Sequence, residues 1–348
     1  MLTITLQDLR FRARQFLIAI GGAGLVFSMT LLLAGLAAGF GVEIDQTVSG
    51  MGADSWVVAA GAAGRVTDLP PIPTATAAPV VLAAGVKRAS GVVVASQAAQ
   101  VGTKTVSVVL IGYPPGQLGI PPIASGRAVT GPGQVVVDSG IPAAVGRTIA
   151  ISGQPFRVVG TVTGRTLLGG VGDVYVSLSD AQRIVFGGRP LVSAVLTEGV
   201  ARHVPPGLAV LSNQQVEQAS LAQMAQAKSS ISNSRTFMWF IAAVIVAALV
   251  YVSALERTRD FAVLKALGSS SSVLFFGLAA QAIAVALVAA ALAAVIANFM
   301  TGLFAQPVDI PSSAYVTLPL SALVVGLLAS LVALRRAVSV DPAMAFAG

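Results

Sequence analysis

Four predominantly apolar stretches of this chain carry no charged residue over about the length of a membrane-crossing helix, and nothing else in the sequence limits its folding as strongly. They are residues 16–42, between Arg14 and Glu43; 236–255, between Arg235 and Glu256; 273–300; and 316–334, which stops at Arg335 and Arg336. Crossing about 30 Å of hydrocarbon takes roughly 20 apolar residues, and a helix satisfies every backbone group within itself. Composition agrees, since 55% of residues are hydrophobic and 10% charged, where soluble domains carry roughly a quarter charged. The expected class is an α-helical membrane protein with four transmembrane helices. Cysteine is absent and His203 is the only histidine, so disulfide scaffolds, thiolate metal sites and cysteine nucleophiles are excluded. Gly21, Gly22 and Gly24 suit close helix contact inside a membrane.

Basic residues in short loops are retained on the cytoplasmic side, and here their distribution is one-sided. Arg10, Arg12 and Arg14 precede the first run, Arg257, Arg259 and Lys265 lie between the second and third, and Arg335 and Arg336 follow the fourth. The loop at 301–315 has no Lys or Arg and a single acid, Asp309. Both termini are therefore expected in the cytoplasm of a bacterial inner or plasma membrane protein, with residues 43–235 outside. Ala34, Ala37 and Ala38 leave a signal-peptide alternative for the first run, but a secretory apolar core is only roughly 7–15 residues long. Residues 1–15 place Leu2, Leu6, Leu9 and Ala13 at helical spacing, which fits a cytoplasmic amphipathic helix serving as a membrane flank or a partner contact.

The segment 43–235 shifts to Val, Gly, Pro and Thr, a strand-rich pattern punctuated by turns. Candidate strands are Ser55–Ala59, 92–95, 106–111, 134–137, Thr148–Ile151, 156–162, 174–177 and 193–196, with a helix starting near Ser179 and capped by Ser179-Asp180. This gives an α+β extracytoplasmic domain large enough to bury its own core. From Asn213 the chain turns polar and Gln/Ala-rich up to the second run, and Val216, Leu221, Met224, Ala227 and Ile231 form a narrow apolar stripe. One continuous helical stalk packed on the extension of the first helix is the expectation, with a flexible Ser/Gln tether as the alternative. Thirteen basic and nine acidic residues are scattered over 43–235 without a run, which describes a solvated surface and gives no footprint for nucleic acid.

Catalytic patterns are missing from the sequence. There is no G-x-x-x-x-G-K-[ST] loop, G-x-S-x-G elbow or H-E-x-x-H pair, so this chain is expected to be a non-catalytic subunit without its own ATP, metal or cofactor. The four runs hold no ionisable residue, which disfavours an ion- or proton-driven path. Energy is then expected from a partner.

Between the second and third runs lies Glu256-Arg257-Thr258-Arg259-Asp260-Phe261-Ala262-Val263-Leu264-Lys265-Ala266-Leu267-Gly268. Phe261, Leu264, Lys265 and Gly268 share a face at helical spacing, with charges crowded at the start and glycine at the end. Periodicity alone fits either a short amphipathic helix that moves two membrane helices together or a snorkelling loop that only sets topology. This segment resembles the E-R-x-R-[ED]-[FI]-x-x-L-[KR]-A-[LI]-G pattern of the MacB/FtsX-like ABC transporter permeases, the type VII membrane subunits, with Asp260 where Glu is commoner. Further similarity lies in Gly52-Ala53-Asp54-Ser55-Trp56-Val57-Val58, in Gly153-Gln154-Pro155-Phe156-Arg157-Val158-Val159-Gly160, in Val174-Tyr175-Val176-Ser177-Leu178 with Ala181-Gln182, and in Arg335-Arg336 followed by Asp341-Pro342.

The resemblance implies a MacB-like periplasmic core domain between helices 1 and 2, and a permease that pairs with a second copy, identical or not. It also implies two cytoplasmic P-loop ATPase subunits that bind ATP and Mg. Glu256, Arg257, Arg259, Asp260, Phe261, Leu264, Lys265, Leu267 and Gly268 would form the ATPase-coupling helix, the apolar members seating in the ATPase and the charged ones fixing register. The implied function is to couple ATP hydrolysis to export or mechanotransmission. The alternative is an FtsX-like signalling subunit controlling an extracytoplasmic enzyme such as a cell-wall hydrolase. The implied domains are 1–15, 16–42, 43–235, 236–255, 256–272 (coupling), 273–300, 301–315 (outer loop), 316–334 and 335–348 (cytoplasmic tail). A reporter fused after Gln100 should be active only in its extracytoplasmic form, and fusions after Gly268 and Gly348 only in the cytoplasmic form. An inverted pair would overturn the assigned orientation.

Overall fold

The computed structural model describes residues 13–256, 263, 270–304 and 306–338. In chain order its elements are α1 (Ala13–Gly50), β1 (Ser55–Ala59), β2 (Ile72–Pro73), α2 (Ala77–Val81), β3 (Arg88–Val101), β4 (Lys104–Tyr113), β5 (Ser125–Gly126), β6 (Gln134–Asp138) and β7 (Thr148–Ile151). There follow β8 (Gln154–Val162), β9 (Thr166–Leu167), β10 (Val171–Ser177), α3 (Leu178–Phe186), β11 (Leu191–Val192), β12 (Ala194–Glu198), β13 (Leu208–Ser212), α4 (Asn213–Gln223), α5 (Ala225–Glu256), α6 (Ser271–Met300) and α7 (Ser312–Val338). Two compact units result. One holds the described residues of Met1–Ala38, Ser229–Phe304 and Val308–Gly348, the other those of Gly39–Lys228 and Ala305–Pro307.

The first unit is helical. Leu17–Gly50, Ala225–Glu256 and Ala279–Leu303 are each long and apolar enough to cross a bilayer, and α7 contains the shorter apolar stretch Ser312–Leu328 with Pro319 inside the helix. Lipid tails are as apolar as the side chains, so helices associate through close packing rather than through exclusion of water. Small residues accordingly dominate the contact, with Ala282, Ala286, Ala289, Ala293 and Ala297 forming one buried stripe on α6. Gly326 brings α7 down onto the α6 backbone, where an added Cβ would lie 3.0 Å from the Ile283 Cα. Of the three glycines expected to serve this purpose, only Gly24 meets a neighbour, Leu292; Gly21 and Gly22 face open space. A polar contact joins α5 to α6, where buried Gln281 donates to Ser253 Oγ at 3.0 Å.

The second unit is built on a mixed eleven-stranded sheet of order β13-β1-β12-β3-β4-β10-β6-β8-β5, with β7 bridging β3 and β8 and β9 paired to β10. The β10–β4 and β6–β8 pairs are parallel and the remaining pairs antiparallel. Successive residues point to opposite faces, and here both faces are buried, which explains why these strands read as nearly continuous apolar runs. Trp56, Val58, Val94, Ile111, Val136 and Tyr175 line one core, which Ile44 and Val48 of α1 and Val216 of α4 complete. Val57, Val93, Leu110, Val137 and Val176 line the other, closed by Ala181 of α3 and Val80 of α2.

Several local expectations shift. The β3–β4 hairpin extends well beyond 92–95 and 106–111 because its tip, apart from buried Ala99, carries exposed and half-buried residues, a weaker signal than a buried run. The edge strand β13 escaped notice for the same reason, since its residues are half-buried or exposed. The cap of α3 is Ser177, whose Oγ accepts from Asp180 N, and Gly187 ends the helix in the left-handed conformation at φ 63°. The stalk is two helices rather than one. α4 starts with a capping box between Ser212 and Gln215, ends at Gln223, and α5 restarts after Met224 at φ −87°, ψ 2°. The apolar stripe packs on the domain core through Val216 and Leu221, whereas Ala227 is exposed.

Close approach of α3 to the sheet requires Gly112, where an added Cβ would lie 2.1 Å from the Ala181 Cβ. Gly112→Ala should therefore cost about 1–3 kcal/mol of domain stability, and Ala181→Gly in the same chain should recover most of it in thermal unfolding. Equal stability of the single variant and wild type would refute this packing.

Candidate mechanical coupling site

Of the nine residues expected to form the coupling helix, Glu256 is the exposed last residue of α5. Arg257, Arg259, Asp260, Phe261, Leu264, Lys265, Leu267 and Gly268 lie outside the described residues. Val263, within the same segment, is helical and exposed.

A second site, not singled out from sequence, lies in the sheet unit where it holds the outer part of α1. The apolar stretch Leu17–Gly50 is 34 residues long, about 50 Å at 1.5 Å per residue, so it exceeds what a bilayer needs. Its end, from Gly39, belongs to the sheet unit. There Glu43 is 1% exposed. Its carboxylate accepts hydrogen bonds from Thr166 Oγ1 at 2.7 Å, from Gly169 N at 2.9 Å and from Gly170 N at 2.7 Å. The donors converge because Leu168, Gly169 and Gly170 all take left-handed backbone conformations, at φ 56°, 84° and 91°. Consecutive amides in such a turn form a concave nest for an anion. For Leu168 that conformation is strained by about 1–2 kcal/mol, and the carboxylate in the nest offsets the strain.

One turn further along α1, Thr47 donates to Asp173 Oδ2 at 3.4 Å, and Tyr175 donates to the same oxygen at 3.3 Å. Asp173 is fully buried, its Oδ1 has no hydrogen-bond partner among the described residues, and Asp138 is also buried. Asp138 accepts from Arg165 N and Gly140 N, each at 2.8 Å, and the Arg165 guanidinium donates to Gln46 O in the last turn of α1. A cation at a helix C-terminus complements the helix dipole. Burial pushes the Asp173 carboxyl up to about 7; the charges of Asp138 and Glu43 add to the rise, against the Tyr175 and Thr47 hydrogen bonds. Burial and the neighbouring Asp173 also raise the Tyr175 phenol. The chain's return path from the domain is fixed as well: Trp56 Nε1 donates to Asn213 Oδ1 at 2.9 Å, and Asn213 Nδ2 donates to Ala53 O at 2.8 Å, pinning the start of α4 to β1. No cluster that could hold a metal ion exists among the described residues.

A folded domain thus follows a long apolar helix whose end it grips, and further long apolar helices come after it. The chain belongs to the FtsX-like and MacB-like ABC transporter permeases: residues 16–231 match the MacB-like periplasmic core domain, and residues 235–342 the FtsX-like permease C-terminal family. It is 37% identical over 348 residues, 100% of both chains, to the uncharacterized ABC transporter permeases Rv2563 and Rv0072 of Mycobacterium tuberculosis strain H37Rv. Among solved structures, the periplasmic region of MacB from Actinobacillus actinomycetemcomitans is similar at 15% identity and a TM-score of 0.36, covering 50% of this chain and 96% of that one.

In the sequence Glu43 stands out only as the residue that ends the first apolar run. A carboxylate directly after such a run and the pair Gly169-Gly170 were the visible signals; their meeting across 126 residues was not.

Asp173 titrates at about 7 in the native state against 3.8 ordinarily. Its contribution to stability is full below pH 4, where both states hold the proton. It declines as pH rises towards 7, because the native state keeps a proton that the unfolded state has released. Asp173→Asn in the full chain should remove that decline and match or exceed wild type at pH 8 by about 1–3 kcal/mol. A variant whose unfolding keeps the wild-type pH slope would exclude Asp173 as its source.

Proposed function

We propose that this chain transmits the power stroke of a separate cytoplasmic ATPase to its extracytoplasmic domain, as one permease of an ATP-driven export complex. The observation that carries this reading is the grip on α1. Glu43, Thr47 and Gln46 are bound by the same β9–β10 segment, through Thr166, Gly169, Gly170, Asp173 and Arg165. A displacement of the helix end is thereby delivered to β10, which sits in mid-sheet between β4 and β6. The anchored start of α4 supplies a second path. In this reading α1, α5, α6 and α7 all span the membrane, both termini are cytoplasmic, and residues 43–235 are outside, as the basic loop residues suggest.

The ATPase seats on the segment from Glu256 to Gly268. Phe261, Leu264 and Leu267 supply its apolar contact, Arg257, Arg259, Asp260 and Lys265 its register. Two ATPase subunits and a second permease copy complete the machine. ATP and Mg belong to the ATPase. The apolar character of the described helix contacts, where Gln281 with Ser253 is a polar exception, favours force transmission over a hydrated pathway.

Asp260→Lys combined with Leu264→Asp should reduce co-purification of the ATPase at least about tenfold, the effect of losing roughly 1.4 kcal/mol of binding, with membrane insertion intact. Wild-type recovery of the ATPase would sink the assignment of this segment.

A further inference from the structure

The geometry points to a phospholipid site in the helical unit, with one acyl chain in an apolar groove between α5 and α7 and the headgroup phosphate on Arg235.

The groove has a volume of about 360 Å³ and is lined by Trp239, Phe240, Ala243, Val324, Val325 and Leu328, with Thr236 and Ser321, whose hydroxyls bond to Ser232 O and Thr317 O of their own helices. That lies within the ~300–1,000 Å³ typical of ligand clefts. Phe240, Val324 and Leu328 are 67%, 53% and 54% exposed, so the groove is open along its length. At one end is a cation. Arg235 stands one turn before Trp239 on the same face of α5, and Trp239 lines both the groove and a small cavity beside Arg235. The cavity, of about 10 Å³, is also bordered by Thr30, Ala314 and Thr317. Such a space fits a single oxygen.

Arg235 is poorly provided for by the protein itself. Its Nε is buried without a hydrogen-bond partner among the described residues. The ion pairs among the described residues are Arg65–Asp68, Arg88–Glu198 and Arg183–Asp180, and Arg235 is in none of them. The two cavity threonines direct their protons to their own helices, Thr30 to Val26 O and Thr317 to Ala314 O. A snorkelling arginine keeps its head in water, whereas this one turns a donor inward beside an apolar groove. An unpaired guanidinium donor there is costly. A phosphate offers two acceptor oxygens in the fork geometry that guanidinium prefers, and an acyl chain is the natural filling for the adjoining groove. Charge and apolar surface thus select one amphiphile. Binding requires only that α5 and α7 lie in lipid; assigning the site to the outer leaflet rests on the orientation proposed above.

The test is native mass spectrometry of the purified full-length chain offered dioleoyl phosphatidic acid or dioleoylglycerol, which share their acyl chains and differ in the phosphate. Wild type should retain the phospholipid about tenfold better, the scale of a hydrogen bond to a charged group. Arg235→Gln should abolish the difference and Arg235→Lys restore part of it. Val324→Trp, which fills the groove from an exposed position, should reduce retention of both lipids. Equal retention of the two lipids by wild type overturns the proposal, as does full phospholipid retention by Arg235→Gln. So does a Val324→Trp variant that splits an assembly of two copies while lipid retention stays unchanged. Should Arg235→Gln fail to fold, the wild-type comparison and Val324→Trp still settle the matter.

Discussion

A carboxylate buried at the end of a membrane helix organises this protein. Glu43 is tolerable inside a folded domain only because three donors meet it. Two of those donors exist because the chain at Gly169 and Gly170 turns left-handed. The consequence is mechanical. A helix that would otherwise end as a loose connector becomes a structural member of the sheet domain, contributing Ile44 and Val48 to its core and hydrogen-bonding to the β9–β10 segment. Thr47 and Gln46 add contacts to the same segment about one turn on, through Asp173 and Arg165.

The two units solve different packing problems. In the sheet unit, water drives burial, and both faces are filled by Val, Ile, Leu and aromatic side chains. In the helical unit, lipid offers no such drive, so contact depends on how closely backbones approach, and alanines and Gly326 set the distance. Polar residues are correspondingly few and specific. Gln281 is satisfied by Ser253, while the buried Arg235 Nε has no hydrogen-bond partner among the described residues.

The strands most legible in sequence were those buried on both faces. Ser55–Ala59, buried almost throughout, occurs with the bounds its pattern suggests, and so does Thr148–Ile151, where buried Ile149 and Ile151 alternate with exposed Thr148 and half-buried Ala150. Strands half in water, such as Leu208–Ser212 and the tip of the β3–β4 hairpin, carry no such contrast and were missed or shortened. The polar stretch after Asn213 reads as one helix because it contains no breaker, yet Met224 interrupts it. Its apolar stripe packs on the domain through Val216 and Leu221. Glycine was an ambiguous sign: Gly24 and Gly326 meet neighbouring helices, and Gly21 and Gly22 meet nothing.

The sequence by itself determined what is local: apolar runs long enough to cross a bilayer, the sidedness of basic residues, alternation in the strands, and a charged segment with a recognisable pattern. Each depends on residues within a few turns of one another, and hydrophobic transfer and periodicity act at that range. Only the tertiary structure decided which buried polar groups face each other. Glu43 meets Gly169, Thr47 meets Asp173, and Trp56 meets Asn213 across 126, 126 and 157 residues. Their pairing follows from sheet order and strand register, which no single segment encodes, and burial then gives those contacts a strength that the same residues would lack in water.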